Sequence, residues 1–332
     1  SKLGIKVYCL NMNFFSFNKF FYLIKLLRVL SPDLVQTWLV HSDLIGSIAA
    51  RFAGIKNIIW NIRYSKLEIG KAKLFTILIT KLLSKLSFYI PKLIVVVSRN
   101  AKSFYKKEGY SKEKLTYIPN GYDLSILRPN KFKKKKFKIK NKIKKNSILI
   151  GKVARYDPKK DHLNLIRALS LIKLKNLNFF CILIGKDVNK KNNNLTSEIK
   201  KLKLSNSINL MGQHDNISEV MNGLDINILS SSYGEGFPNV VAESMACGTP
   251  CIVTDVGDAA FIVGKTGWIV PPNNSMKLAK AIEKAIVEYG TKKWEKKTEM
   301  ARIRVEKNFD ISRMIKFYNK IWFKVYKKKI NF

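Results

Sequence analysis

The stretch Ser230 to Gly257, SSSYGEGFPNVVAESMACGTPCIVTDVG, constrains the fold more than any other part of the chain. Asp225 to Leu229 reads as a strand running into a loop that holds Tyr233, Gly234, Glu235 and Gly236. Pro238 then opens a helix that Gly248 closes, and Pro250 to Thr254 reads as the next strand. The N–H groups at such a helix start have no intrahelical partner, and glycines let the main chain come close. The loop is therefore built to receive an anion, and a diphosphate is the natural guest.

Two carboxylates complete the stretch. Glu235 lies in the loop, and Glu243 falls about one helical turn beyond Asn239. A glycoside hydrolase holds its two carboxylates about 5 to 9.5 Å apart across one glycosidic bond, whereas these two would touch different parts of an elongated ligand. For a lone Glu-x7-Glu, a helix cap with a solvated glutamate is the better reading. Here the glycines, Pro238 and the flanking strands reverse that balance.

Glu235-Gly-Phe-Pro-Asn-Val-Val-Ala-Glu243, followed by Ser-Met-Ala-Cys-Gly-Thr-Pro, resembles the signature of the retaining glycosyltransferases of family 4. The resemblance implies an α/β GT-B fold, two Rossmann-like parallel-sheet domains facing a cleft. It also implies that Glu235 meets the donor sugar and Glu243 the nucleotide ribose. Gly236, Phe237, Pro238, Asn239 and Val240 complete the implied donor-binding stretch.

The 332 residues suffice for two domains with sizeable cores. Cys9, Cys181, Cys247 and Cys251 sit singly in apolar stretches, without metal or disulfide spacing, as core thiols of a reducing cytosol would. The formal net charge of +39 is carried mostly by lysine in a chain also rich in Ile and Asn, a joint bias that suits an AT-rich genome. That reading ranks first, an anionic membrane surface second and nucleic acid a distant third, since no nucleic-acid-binding module is recognisable. Ser1 stands where a methionine would, and Gly4 to Leu10 reads as a strand already inside a domain rather than a signal peptide. The expectation is a fragment, because nothing before Gly4 matches the family's opening strand and glycine-rich loop.

Residues 1–128 read as the acceptor-side domain. Ile5 to Leu10 reads as a strand. Phe14 to Leu30 is apolar but interrupted by Lys19, Lys25 and Arg28, which argues against a spanning helix. An amphipathic surface helix and a plain core-covering helix fit it equally. Pro32 to Trp38 reads as a strand, Asp43 to Phe52 as a helix, and Asn57 to Ile62 as a strand that delivers Asn61, Arg63 and Tyr64 to its C-terminal end. In open parallel sheets ligands bind at that edge. A lone histidine after a strand is more often structural. The family keeps one at the corresponding strand end near the donor sugar, so the resemblance implies that role for His41, and an acceptor-side position for Arg63. Lys71 to Phe88 reads as amphipathic, Lys92 to Val97 as a buried strand, and Leu115 to Ile118 as a strand ending in Pro119-Asn120-Gly121. That turn resembles the family's exit from its first domain and puts Asn120 on the acceptor side.

Residues 129–146 are a lysine tract with scattered Phe132, Phe137, Ile139 and Ile143, expected as a solvated linker or insertion at the domain boundary. Residues 147–310 read as the nucleotide-sugar domain. Its first strand, Ser147 to Ala154, leads to Arg155 and Lys160, spaced as in the family motif where an Arg and a Lys grip the donor diphosphate. A guanidinium fork and an ammonium there would stabilise charge on a departing phosphate. Arg155 carries more weight, since single lysines are uninformative in so basic a chain. Gly185 and Gln213 follow two further strands, and the resemblance puts them at the nucleotide. His162 and His214 lack paired ligands, so no metal site is expected. Residues 311–332 read as a helix that, by resemblance, crosses back to the first domain, with Tyr318, Trp322 and Tyr326 as one packing stripe.

These readings converge on a metal-independent retaining hexosyltransferase. Its co-substrate would be a UDP- or GDP-linked sugar, with no cofactor. Its acceptor would be a glycan or lipid-linked, in surface-polysaccharide, O-antigen or lipopolysaccharide assembly, an impression drawn from Trp38 to Ser65. The expected location is cytoplasmic, with a peripheral position on the inner face of the cell membrane as a variant. A sugar-nucleotide epimerase of the same fold would carry a different carboxylate set. A non-catalytic basic binding protein would retain none of the donor-facing spacing.

Overall fold

The computed structural model describes residues 4–12, 16–64, 74–144 and 146–327. The chain divides into two compact units. One runs to Ile118 and takes in the residues from Phe317 onward, and the other is Pro119–Lys316.

The first unit carries helices α1 (Phe17–Leu30), α2 (Val40–Phe52), α3 (Leu74–Leu86) and α4 (Arg99–Lys107), with strands β1 (Val35–Trp38), β2 (Ile58–Ile62), β3 (Leu93–Val96) and β4 (Leu115–Tyr117). The strands pair in parallel in the order β1-β2-β3-β4. Every residue of β2 and β3 is buried, as expected of apolar, β-branched runs inside a parallel sheet. Trp60, Leu83, Ile94 and Tyr105 form its core.

The second unit begins with α5 (Lys131–Lys140). It continues with β5 (Ile148–Val153), α6 (His162–Lys173), β6 (Phe179–Ile184), α7 (Asn193–Lys201), β7 (Ile208–Gly212), α8 (Ile217–Gly223) and β8 (Ile226–Leu229). After these come α9 (Asn239–Ala246), β9 (Cys251–Thr254), α10 (Ala259–Val263), β10 (Trp268–Val270), α11 (Ser275–Glu288) and α12 (Lys292–Phe309). The six strands are all parallel, in the order β10-β9-β8-β5-β6-β7. The chain builds outward from β5 through β6 and β7, then returns to the other side of β5 for β8. The loops leaving β5 and β8 therefore diverge, and a crevice opens at their C-terminal ends. A last helix, α13 (Ile311–Lys327), starts in the second unit and belongs to the first from Phe317 onward.

Several expectations need correction. Ile5 to Leu10 forms no strand, and Ile5, Val7 and Tyr8 are exposed. An apolar run whose side chains stay exposed does not have the burial that a core strand of a parallel sheet needs. Cys9 in it is exposed, whereas Cys181, Cys247 and Cys251 are buried as expected. Phe14, Ser65, Lys71 and Lys145 lie outside the described residues. On α13 the inward face is Tyr318, Ile321 and Val325, while Trp322 and Tyr326 stay partly exposed. The indole of Trp322 instead donates to Gln36 Oε1 at 2.6 Å.

The lysine tract is the largest departure. It is not a solvated linker but helix α5, capped by Asn130, whose side chain accepts from Lys133 N–H. Phe137 is fully buried against Gly223 of α8, where a Cβ would come within 2.1 Å of its ring. Lys134 and Lys138 reach the buried Asp225 at 2.7 and 2.6 Å. Asp225 also accepts from Leu149 N–H and the Tyr289 hydroxyl. Burial alone would raise its carboxyl, but the two ammonium groups bring it below the ordinary aspartate value. The boundary between the units accordingly falls at Ile118, before the tract.

Removing one partner of a buried ion pair leaves charge uncompensated, so Asp225→Asn should lower stability by about 3 kcal/mol, read as a drop in the urea midpoint. The contribution is present above the ordinary aspartate range and is lost as pH falls through the depressed value. Wild type and Asp225→Asn should therefore converge in acid.

Candidate active site

Two loops flank the crevice beside β5 and β8. The loop after β5 carries Arg155 and a short 3-10 turn, Pro158–Lys160, and ends at Asp161, which caps α6 by accepting from Asn164 N–H at 3.0 Å. Asp161 adopts left-handed backbone (φ +47), a conformation that disfavours most residues and that aspartate tolerates. The loop after β8 runs through Ser230 and Ser231 to Glu235. Ser232 N–H donates to Lys159 O at 2.9 Å, which ties the two loops together.

At their junction Lys160 Nζ lies 2.6 Å from Glu235 Oε1, and Ser231 Oγ donates to the same oxygen at 2.5 Å. Glu235 is only 6% exposed. A third loop, after β9, lies directly on it: a Cβ on Gly257 would come 2.3 Å from Glu235 O, and Asp258 N–H donates to Gly236 O. Only glycine fits there, both for that approach and for its φ of +60. Three strand ends thus fix one ammonium–carboxylate pair. Such a pair offers an acceptor to hydroxyl groups and a donor to an anion.

Glu243 sits on α9, half-buried, with no described residue donating to its carboxyl. Burial raises it from 4.5 to about 7. Helix α9 starts at Asn239 after Pro238, without a side-chain cap.

The other anticipated residues divide. Arg155 is not brought to the Lys160–Glu235 pair. Its guanidinium folds onto Asp157 at 3.0 and 3.2 Å with 58% of its side chain exposed. Asp157 also accepts from Lys159 N–H. Phe237 is buried edge-on against Phe309, centroids 5.2 Å apart, which packs the loop onto the end of α12, and Pro238 is buried next in the chain. Val240 O accepts from Asn227 Nδ2. Asn120, anticipated on the acceptor side, is instead held in the second unit, because its amide donates to Asn239 Oδ1 at 2.7 Å beside the Tyr122 hydroxyl at 2.8 Å. Gly185 is required by packing, since a Cβ would come 2.1 Å from Ala154 O. Its N–H donates to Gly212 O, which joins the ends of β6 and β7 and leaves Gln213 exposed at that edge.

In the first unit His41 is exposed in the first turn of α2 and stacks on Phe75 at 6.1 Å. Leu39, two residues earlier, has φ +74, strain of the kind that clusters at functional sites. Arg63 lies half-buried just past β2, near the Tyr318 hydroxyl, which accepts from Asn61 Nδ2 at 2.7 Å. Asp43, buried on α2, accepts from Thr37 Oγ1 and is raised to about 7, chiefly by burial.

Sequence reasoning missed Lys152 and Ser231. Lys152 interrupts the apolar run of β5 and is 1% exposed. A charge inside a buried strand was the available signal, masked by the abundance of lysine. Among the described residues no three His, Cys, Asp or Glu side chains cluster where they could hold a metal ion.

The family profile described as glycosyl transferases group 1 matches residues 133–303, and that of glycosyltransferase family 4 matches residues 4–126. The chain belongs to the group 1 glycosyl transferases. An Escherichia coli UDP-Gal:alpha-D-GlcNAc-diphosphoundecaprenol alpha-1,3-galactosyltransferase is 27% identical over 245 residues, 70% of this chain and 60% of that protein. A Campylobacter jejuni N,N'-diacetylbacillosaminyl-diphospho-undecaprenol alpha-1,3-N-acetylgalactosaminyltransferase is 29% identical over 276 residues, 76% and 68% of the two chains. The Bacillus subtilis putative glycosyltransferase EpsF is 28% identical over 151 residues, and this match spans 38% of its length. Among solved structures, Anabaena HepE in complex with UDP superimposes with a TM-score of 0.82 at 20% identity, covering 92% of this chain and 82% of HepE. A Rickettsia africae glycosyltransferase gives 0.82 at 24% identity, over 98% and 85%. The fold of this group 1 transferase is GT-B, with one parallel sheet of four strands and one of six.

The raised Glu243 carboxyl has a measurable consequence. Between about pH 4.5 and 7 the folded state binds the extra proton, so this group costs stability increasingly across that window and fully above it. Glu243→Gln should therefore be more stable than wild type at pH 8 by about 1–2 kcal/mol and equal to it near pH 4, as followed by thermal melting.

Proposed function

We propose that this chain transfers a hexose from a nucleoside diphosphate sugar, UDP- or GDP-linked, to a lipid-linked or glycan acceptor of surface-polysaccharide assembly, with retention and without a metal. The observation that carries this reading is the Lys160–Glu235 contact of 2.6 Å at the strand crossover, with Glu243 on the helix that follows. Lys160 supplies the positive charge that a departing diphosphate needs, and Arg155 adds a second cation by leaving Asp157. Glu235 receives the sugar hydroxyls. Glu243, desolvated and without a described donor, takes the ribose hydroxyls. The relatives' UDP-Gal donor and diphosphoundecaprenol acceptors and the UDP bound to HepE support these choices of class. Retention follows if the acceptor attacks on the face that the diphosphate leaves. The family resemblance is what supports a role for His41 at the donor sugar and for Arg63 towards the acceptor.

We place the working position at the inner face of the cell membrane. No helix among the described residues is long and apolar enough to cross a bilayer. Helix α1 exposes Phe17, Phe21 and Tyr22 beside Lys19 and Lys25, and α3 exposes Leu74, Phe75, Leu78 and Leu82. Cations near an anionic surface contribute about 1 kcal/mol each, fading within a Debye length. Sedimentation with anionic vesicles should weaken with salt, and equal binding to neutral vesicles would contradict an electrostatic contribution.

Lys160→Ala and Glu235→Gln should each lower turnover of the nucleotide sugar by about 10²- to 10³-fold. Glu243→Gln should mainly raise KM, because a ribose contact is felt in ground and transition states alike. A donor screen on the variants tests this. One kinetic signature for both glutamates, or activity lost to a chelator and restored only by magnesium or manganese, would count against it.

A further inference from the structure

Lys152 lies beneath the candidate donor loop, sealed at 1% exposure, and has no carboxylate partner among the described ion pairs. Its ammonium donates to Lys160 O at 2.6 Å and to Ser230 Oγ at 2.8 Å. Ser230 Oγ in turn donates to Asp161 O at 2.8 Å. Lys152 thus holds two successive carbonyls of one tight turn, one directly and one through a hydroxyl. That turn contains the left-handed Asp161 and presents Lys160 to Glu235. A buried lysine bound only to neutral oxygens is costly, because its ammonium has lost water without gaining an opposite charge. Its contribution is therefore to be sought in what it holds rather than in stability.

We propose that Lys152 is a positioning residue of the donor site, whose buried ammonium holds the Lys160–Asp161 turn and whose charge sets how strongly the loop binds an anion. This rests on the donor-site reading above. Burial first, then the like charge of Lys160, lowers Lys152 from 10.5 to about 7. Glu235, Asp161 and Cys181 act in the opposite sense. His162, on α6, is held down at about 3 by burial and by Lys152 itself, and stays neutral throughout. An arriving diphosphate favours the charged form of Lys152, so donor binding takes up protons and weakens as pH rises through about 7. Glu243 titrates in the same range, so the test uses ratios between variants rather than one slope.

The test is calorimetric titration of the full chain with UDP-glucose and GDP-glucose at pH 6 and pH 8.5, in wild type, Lys152→Met, Lys152→Arg and Lys160→Ala. The Kd ratio of Lys152→Met to wild type should be about tenfold at pH 6, one pKa unit of coupling, and should fall towards one at pH 8.5. Lys152→Met should melt no lower than wild type at pH 6. Lys152→Arg, charged at both values, should bind better than Lys152→Met and, at pH 8.5, better than wild type. A ratio independent of pH, or affinity lost together with thermal stability in both variants, would reduce Lys152 to a structural residue and overturn the inference. Wild type binding neither sugar nucleotide, or Lys160→Ala binding as well as wild type, would overturn the donor-site reading itself. Weakening by Lys160→Ala with both Lys152 variants unchanged would overturn this inference alone.

Discussion

The Lys160–Glu235 contact depends on β5 and β8 being neighbours. These residues are 75 apart in the chain and meet because the second sheet is built outward from β5 in two directions. Once β5 and β8 pair, the loops leaving them must part, and what each loop carries faces the same gap. Gly257, on the loop of β9, closes the third side because it alone can lie against the Glu235 carbonyl. The pair is therefore a product of topology, and each of its holders is backbone fixed by a strand end.

Both ends of this sheet carry a buried charge, handled in opposite ways. At the N-terminal end of β8, Asp225 is neutralised by two lysines of α5 and hydrogen-bonded by Leu149 N–H and Tyr289, a satisfied arrangement that fastens a helix. Within β5, Lys152 is met only by neutral oxygens, an unbalanced arrangement that leaves its protonation open to whatever sits above it. Glu243 is unbalanced in the same sense. The satisfied charge fastens a helix to the scaffold, whereas Lys152 and Glu243 keep protonation states that a nearby charge can shift.

Local pattern carried a good deal of this protein. The β-branched runs of β2, β3 and β5 announce buried parallel strands, and Pro238 and Gly248 bracket α9 because each suits one helix end for its own steric reason. The lysine tract was misread because composition cannot show that Phe137 has a slot beside Gly223 or that Asp225 waits for two of its lysines. Ile5 to Leu10 was misread for the converse reason, since an apolar run reads as a buried strand whether or not its side chains are covered, and Ile5, Val7 and Tyr8 are exposed.

The sequence by itself determined the strand–loop–helix unit around Glu235 and Glu243, the family it resembles and the spacing of Arg155 and Lys160, because these depend on residues near one another in the chain. Only the tertiary structure decided which cation meets Glu235, turned Arg155 onto Asp157, joined Asn120 to Asn239 and buried Lys152 under the turn. Those outcomes depend on which strand ends become neighbours and how much water each side chain loses there, quantities that no local pattern contains.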